Sequence, residues 1–214
     1  MPDNETTQTT EEETTGAYEV YSTIGLRDVV VAELLTDAAG AAPTYGDVRP
    51  LVGAIDFDVS DNGGDPDVQD YDDHEGDVIY PDPDLRGTVE MADVPPRMLA
   101  WLQGHTVDNN GVVIHNAEDK PIYFAMGFKS VKTNGKDRYV WYYKGRVRQI
   151  PQDKRTTKPS NGKTPTRQTT KLQITFIKLT STGNARAFVD EDEAAFATAK
   201  ATFFDAPYTP SLGS

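Results

Sequence analysis

Apolar residues along this chain fall mostly at every second position, in short segments broken by Gly, Pro, Asn and Asp. Residues 18–36 hold Ile24, Leu26, Val29, Val30, Val31, Leu34 and Leu35, a β-branched set that predicts a strand. Residues 36–49 read as a loop. Over 51–59, Ile55, Phe57 and Val59 alternate with Asp56 and Asp58, the pattern of a strand with one dry and one wet face. Residues 61–83 are so rich in Asp, Gly and Pro that they read as one long loop. Leu85, Gly87, Val89 and Met91 then alternate with Arg86, Thr88 and Glu90, a second half-buried strand.

Residues 93–104 break this rhythm. Pro95 and Pro96 suit a first helical turn, Gly104 suits the position past the last, and Asp93 or a neighbour is the expected cap. Met98, Leu99, Trp101 and Leu102 give that helix its apolar face. A small hairpin turns at 108–111. The strongest hairpin joins Ile122, Phe124, Met126 and Phe128 to Tyr139, Trp141, Tyr143 and Val147 through Asn134-Gly135, the preferred pair of a type I′ turn. Leu172, Ile174 and Phe176 make a later strand, residues 187–189 a short one, and residues 190–203 a C-terminal helix. The predicted core includes Ile55, Phe57, Leu99, Trp101, Leu102, Phe124, Phe128, Trp141, Ile174 and Phe176. Many short strands with two short helices predict a mainly β fold, a sandwich or barrel.

Charge adds a second pattern. The 214 residues carry a net −13, which argues against affinity of the whole chain for nucleic acid or anionic membranes. The charge is unevenly spread: residues 1–94 hold 24 acidic and 3 basic residues, and residues 118–187 hold 16 basic and 4 acidic ones. The two halves attract either within one fold or between neighbouring copies. Residues 1–16 are Thr- and Glu-rich and predict a disordered acidic arm ahead of a domain over 17–189, with a helix and arm over 190–214. The N-terminus has neither the basic nor the apolar region of a secretory signal, and no apolar run is long enough to span a membrane.

Candidate chemistry is sparse. The chain has no cysteine, which excludes disulfides and thiolate sites. Its three histidines, His74, His105 and His115, match no metal or catalytic spacing, and no nucleophile or phosphate-loop motif occurs. No catalytic residue, cofactor or enzymatic activity is expected. Asp65, Asp67, Asp70, Asp72 and Asp73 offer oxygens to calcium, without EF-hand spacing, and a solvated acidic loop is the plainer reading. Basic residues at 144–171 behind Tyr139, Trp141, Tyr142 and Tyr143 could contact phosphates, but such aromatics at strand spacing are more often core.

The order of certain pieces resembles the major tail (tail tube) proteins of long, non-contractile-tailed viruses, the siphovirus type. The pieces are residues 24–29, the Asp70-Tyr71-Asp72-Asp73 run with Gly76, the helix with residues 104–108, then 124–130, 134–145, the late strand after Pro165, and Val189 with the acids at 190–193. A longer acidic N-terminus and a basic, Thr-rich stretch at 154–171 depart from that pattern.

The resemblance implies a β-sandwich whose copies form hexameric rings stacked head to tail in a virion tail. Such a tube encloses a tape-measure protein, meets tail terminator and distal tail proteins, touches no membrane, and passes double-stranded DNA without specific binding. The charge split adds the expectation that Asp70, Asp72, Asp73, Glu75 and Asp77 meet Lys154, Arg155, Lys158, Lys163 and Arg167 across a subunit or ring contact. Lumen-facing side chains are expected to be mostly acidic or neutral. The same fold builds the tube of contractile injection and type VI secretion systems, an alternative reading. A calcium-dependent β-sandwich adhesion module is another. The preference for Asp, 23 against 11 Glu, suits a halophilic host or a lineage preference for Asp, and leaves a bacterial and an archaeal host both open.

Overall fold

The structure is a computed structural model. It describes residues 20–61, 65, 67–71, 74–79, 85–148, 152–153 and 167–210, with the backbone alone at 67–71, 74–79 and 152–153. The expected arm at 1–16 lies outside these residues. The chain runs β1 (Thr23–Thr36), β2 (Thr44–Tyr45), β3 (Arg49–Pro50), β4 (Ala54–Asp61), β5 (Asp67–Tyr71), β6 (His74–Ile79), β7 (Leu85–Met91) and α1 (Pro96–Gln103). It continues through β8 (Thr106–Val107), β9 (Val113–Ile114), β10 (Phe124–Lys132), β11 (Asp137–Val147), β12 (Gln152–Asp153), β13 (Thr170–Phe176) and β14 (Arg186–Asp190).

The fold is mainly β, as the alternation predicts. One antiparallel sheet has the order β2-β1-β10-β11-β13-β7-β4, with β3 on β1, β12 on β13 and β14 on β11. Strand β11 carries two partners along one edge: residues 138–142 pair with β14, and residues 145–147 pair with β13. That division lets the sheet fold over into two layers. Phe57 of β4 faces back across the interior, its ring centroid 5.1 Å from that of Phe128 and 5.9 Å from that of Tyr142.

Between the layers lies a core of Val29, Val31, Val89, Met91, Leu102, Phe124, Met126, Phe128, Val140, Tyr142, Val147, Leu172, Ile174 and Phe176. Leu99 and Trp101 of α1 and Phe57 are half-buried against it. A second cluster, Tyr139, Trp141, Tyr143, Phe196 and Phe203 among its members, covers the opposite face of β10 and β11. The β10–β11 pair is therefore buried on both faces rather than half-buried. Parity changes along β11, so that Val147 joins Val140 and Tyr142 and not Trp141. The cause is a register shift: Met126 faces Tyr142, but Phe124 faces Gly145, leaving one extra residue on β11.

Other expectations are corrected in the same physical terms. Ile55 is 55% exposed, not core. Ala54 pairs with Met91 and Asp56 with Glu90, so Ile55 is the bulged residue of an edge strand and its side chain leaves the dry face. The Asn134-Gly135 turn is not type I′. Only Gly135 has positive φ (80°), and its N–H donates to the Lys132 carbonyl at 2.9 Å, which describes a type I turn closed by a left-handed glycine. Helix α1 begins behind Pro95 with no side-chain cap, and ends on Gly104 at φ 70°. The loop at 36–49 contributes β2 and β3, and the long acidic segment contains the β5–β6 hairpin. The expected C-terminal helix is two 3-10 turns, Ala194–Ala197 and Lys200–Thr202, while Asp190 closes β14. Among the described residues, no helix is long and apolar enough to cross a membrane.

Candidate functional site

The register of β4, β7 and β13 places the two charged excursions. Asp61 pairs with Leu85, and Leu85 with Phe176, at one end of this three-stranded region. The acidic excursion, residues 62–84, leaves and re-enters there. At the other end Met91 pairs with both Ala54 and Thr170, and β12 pairs with Lys171 and Thr170. The basic excursion joins β13 at that end. Six residue steps, roughly 20 Å at about 3.3 Å per residue, separate the two roots. Each excursion thus leaves a different pole of the same sheet.

The outer face between these poles is polar throughout, because the apolar partners of the alternation are in the core. Ser60, Arg86, Thr175 and Arg146 form one row across β4, β7, β13 and β11. Asp58, Thr88 and Gln173 form the next, continued by Arg148, whose N–H donates to the Gln173 carbonyl at 2.8 Å. A third row holds Asp56, Glu90 and Lys171. Arg86, Arg146, Arg148, Thr88, Gln173 and Thr175 line a concavity of about 700 Å³. The Arg146 Nε donates to the Pro121 carbonyl at 2.8 Å, and its guanidinium lies 4.9 Å from the Tyr123 ring centroid. Arg148 donates to the Gln173 side-chain oxygen at 3.2 Å. The wet-face arginines were visible in the sequence, but their gathering depends on strand neighbours far apart in the chain.

Elsewhere the basic and acidic blocks meet inside one copy. Lys129 pairs with Asp28 at 2.7 Å, Lys144 with Asp37 at 2.5 Å and Lys171 with Glu90 at 3.3 Å. Around the β10–β11 turn, buried Lys132 donates to Asp190 and Asp192, Lys136 pairs with Asp192, and Arg138 with Asp190. Arg27 pairs with buried Asp137. The charge split is thus partly spent within the fold. Burial alone would raise the Asp37 carboxyl, but Lys144 and the N–H groups of Thr180 and Ser181 hold it far below the usual range. Hydrogen bonds from Arg138 and then Lys132 likewise lower Asp190.

The residues singled out by sequence divide by position. Asp67 and Asp70 stand on β5, and Glu75 and Asp77 on β6. Asp70 is registered opposite Glu75, and Asp77 opposite Gln69. Asp65 and Arg167 are exposed. Asp72, Asp73, Lys154, Arg155, Lys158 and Lys163 lie outside the described residues. Among the described residues, no three His, Asp or Glu converge as a metal set. His105 bridges Asp119 at 2.8 Å and the Gln103 side-chain oxygen at 2.7 Å, a structural role that ties α1 to the 116–119 turn.

No protein-family model matches this sequence. No curated protein matches it either. The functional reading therefore rests on charge, register and the sequence resemblance.

Proposed function

We propose that this protein is the repeating structural subunit of a viral tail tube, of the long non-contractile type. In this reading six copies close a ring and rings stack head to tail. The tube encloses a tape-measure protein, meets terminator and distal tail proteins at its ends, and passes double-stranded DNA without binding it.

The observation that carries the reading is polarity. The acidic and basic excursions are rooted at opposite ends of the β4-β7-β13 region. Two different, oppositely charged patches on opposite poles make a heterologous contact, which propagates instead of closing on itself. Opposite charge also sets register between successive copies.

Negative-stain microscopy of the purified protein tests this. Rings or tubes are the expected result, and monodisperse globules at high concentration would overturn it. The charge matching has its own test in the Lys154→Glu, Arg155→Glu, Lys158→Glu variant, which should lose tubes at low salt. Tubes with unchanged salt sensitivity would remove the basic excursion from the contact.

A further inference from the structure

We propose that Arg86, Arg146 and Arg148 form a binding site for a phosphate group, taken up as the free ion or on a small polar molecule. The site goes beyond the tube reading and stands on the single subunit.

The first support is how two of these arginines are held. Lys129, Lys132, Arg138, Lys144, Lys171 and Lys200 sit on carboxylates of the same fold. Arg146 and Arg148 have neutral partners instead. The Arg146 Nε donates to the Pro121 carbonyl, and its guanidinium lies against the Tyr123 ring. Arg148 donates through Nη1 to the Gln173 side-chain oxygen. These partners orient both guanidiniums without cancelling their charge. A guanidinium carries five N–H donors, and each of these bonds uses one. The Arg148 backbone is fixed as well, its N–H on the Gln173 carbonyl and its own carbonyl on the buried Gln103 amide. The ordering entropy is thereby spent before a ligand arrives.

The second support is placement. Arg146 pairs with Thr175 and Thr175 with Arg86, so two arginines flank one threonine, about 10 Å apart at Cα. Arg148 stands two residues from Arg146 on the same strand face, about 7 Å away. Thr88, Gln173 and Thr175 line the same concavity of about 700 Å³ and add hydroxyl and amide donors. No Asp or Glu stands among the described residues that line it. Fixed guanidiniums bind phosphate oxygens in bidentate fashion, which a phosphate dianion rewards more than a single carboxylate does. The concavity exceeds one phosphate ion, and the surplus accommodates the body of a small phosphomonoester. Its surroundings favour a small anion over a long one. Asp56 and Asp58 occupy wet positions on the neighbouring edge strand β4, Asp58 beside Thr88. A duplex would have to lie across these carboxylates, whereas a small dianion reaches only the arginines.

Isothermal titration calorimetry of the full-length protein tests this, at low ionic strength in a phosphate-free buffer. The probes are inorganic phosphate and glucose 6-phosphate, with acetate and a short DNA duplex beside them. Both phosphate probes should bind saturably and acetate more weakly, and the tighter of the two names the source of the group. Arg146→Gln with Arg148→Gln should weaken phosphate binding by roughly tenfold or more. Lys129→Gln with Lys200→Gln removes the same two charges elsewhere and should leave binding unchanged. Equal weakening in both variants would reduce the effect to diffuse attraction and overturn the proposal. So would wild type that does not saturate with either phosphate probe, or that binds acetate as tightly. Duplex bound more tightly than phosphate, and lost in the arginine variant, would make the face a nucleic-acid surface and overturn it too. Melting curves confirm that the variants fold. If the double arginine variant does not, exposed Arg148→Gln takes its place, and unchanged phosphate binding there would overturn the site.

Discussion

Phe176 packs against Gly145, its register partner between β13 and β11, so closely that a Cβ on Gly145 would stand 2.8 Å from the ring. Gly87 on the other neighbouring strand is equally close to the same ring. The ring fills the space two missing side chains leave. Gly145→Ala should therefore overpack the core and cost about 1–3 kcal/mol. Denaturant unfolding checks this. A smaller partner, Phe176→Leu, should recover part of the loss in the double variant, because the cost belongs to the contact.

Trp141 holds the C-terminal segment. Its indole N–H donates to the Phe203 carbonyl at 2.9 Å, and its ring packs against Phe204. Trp141→Phe keeps most of the apolar area but leaves that carbonyl without its partner, which should cost about 1–3 kcal/mol. Hydrogen exchange should rise first at the 3-10 turns of 194–202, ahead of β10 and β11. Uniform loss of protection would contradict a local clamp.

Asp37 couples stability to acid. Its carboxyl is depressed in the folded protein, so its contribution is present above the ordinary carboxylate range, near pH 4, and disappears as pH falls through the folded value. Asp190, Glu191 and Asp192 are depressed too and add in the same direction. Asp37→Asn should cost about 1–3 kcal/mol at pH 7. The gap from wild type should narrow as pH drops below about 4. Melting curves from pH 7 to 2.5 check this, and a gap that widens in acid would reverse the assignment.

Gln103 is buried, with its amide N–H on the Arg148 carbonyl at 3.1 Å and its oxygen against His105. It anchors the end of β11 that presents Arg148. Gln103→Ala should cost about 1–3 kcal/mol by stranding two polar groups. Denaturant unfolding checks this, and an unchanged midpoint would contradict it.

Local signals in the sequence did most of the work for single elements. Alternation at 85–91 marked both faces of β7, and Pro95, Pro96 and Gly104 bracketed α1, because these effects act within a few residues. They failed where a long-range partner intervened. Ile55 fits a dry face until a bulge against β7 turns it out. Val147 fits the Trp141 face until the extra residue between Tyr142 and Gly145, opposite Ala125, shifts the parity. Phe196 and Phe203 fit a helix, yet they serve as a lid on Tyr139 and Trp141, and packing chose two 3-10 turns instead.

The sequence by itself determined that this chain is a mainly β protein without cysteine chemistry, and that its charge is divided into an acidic front and a basic back. Composition and alternation are properties of the chain and survive any fold. Only the tertiary structure decided where those charges stand. Strand pairing spends part of the division inside the fold, gathers Arg86, Arg146 and Arg148 from distant segments onto one face, and roots the two excursions at opposite poles. Register is a relation between residues far apart in sequence, and no local pattern encodes it.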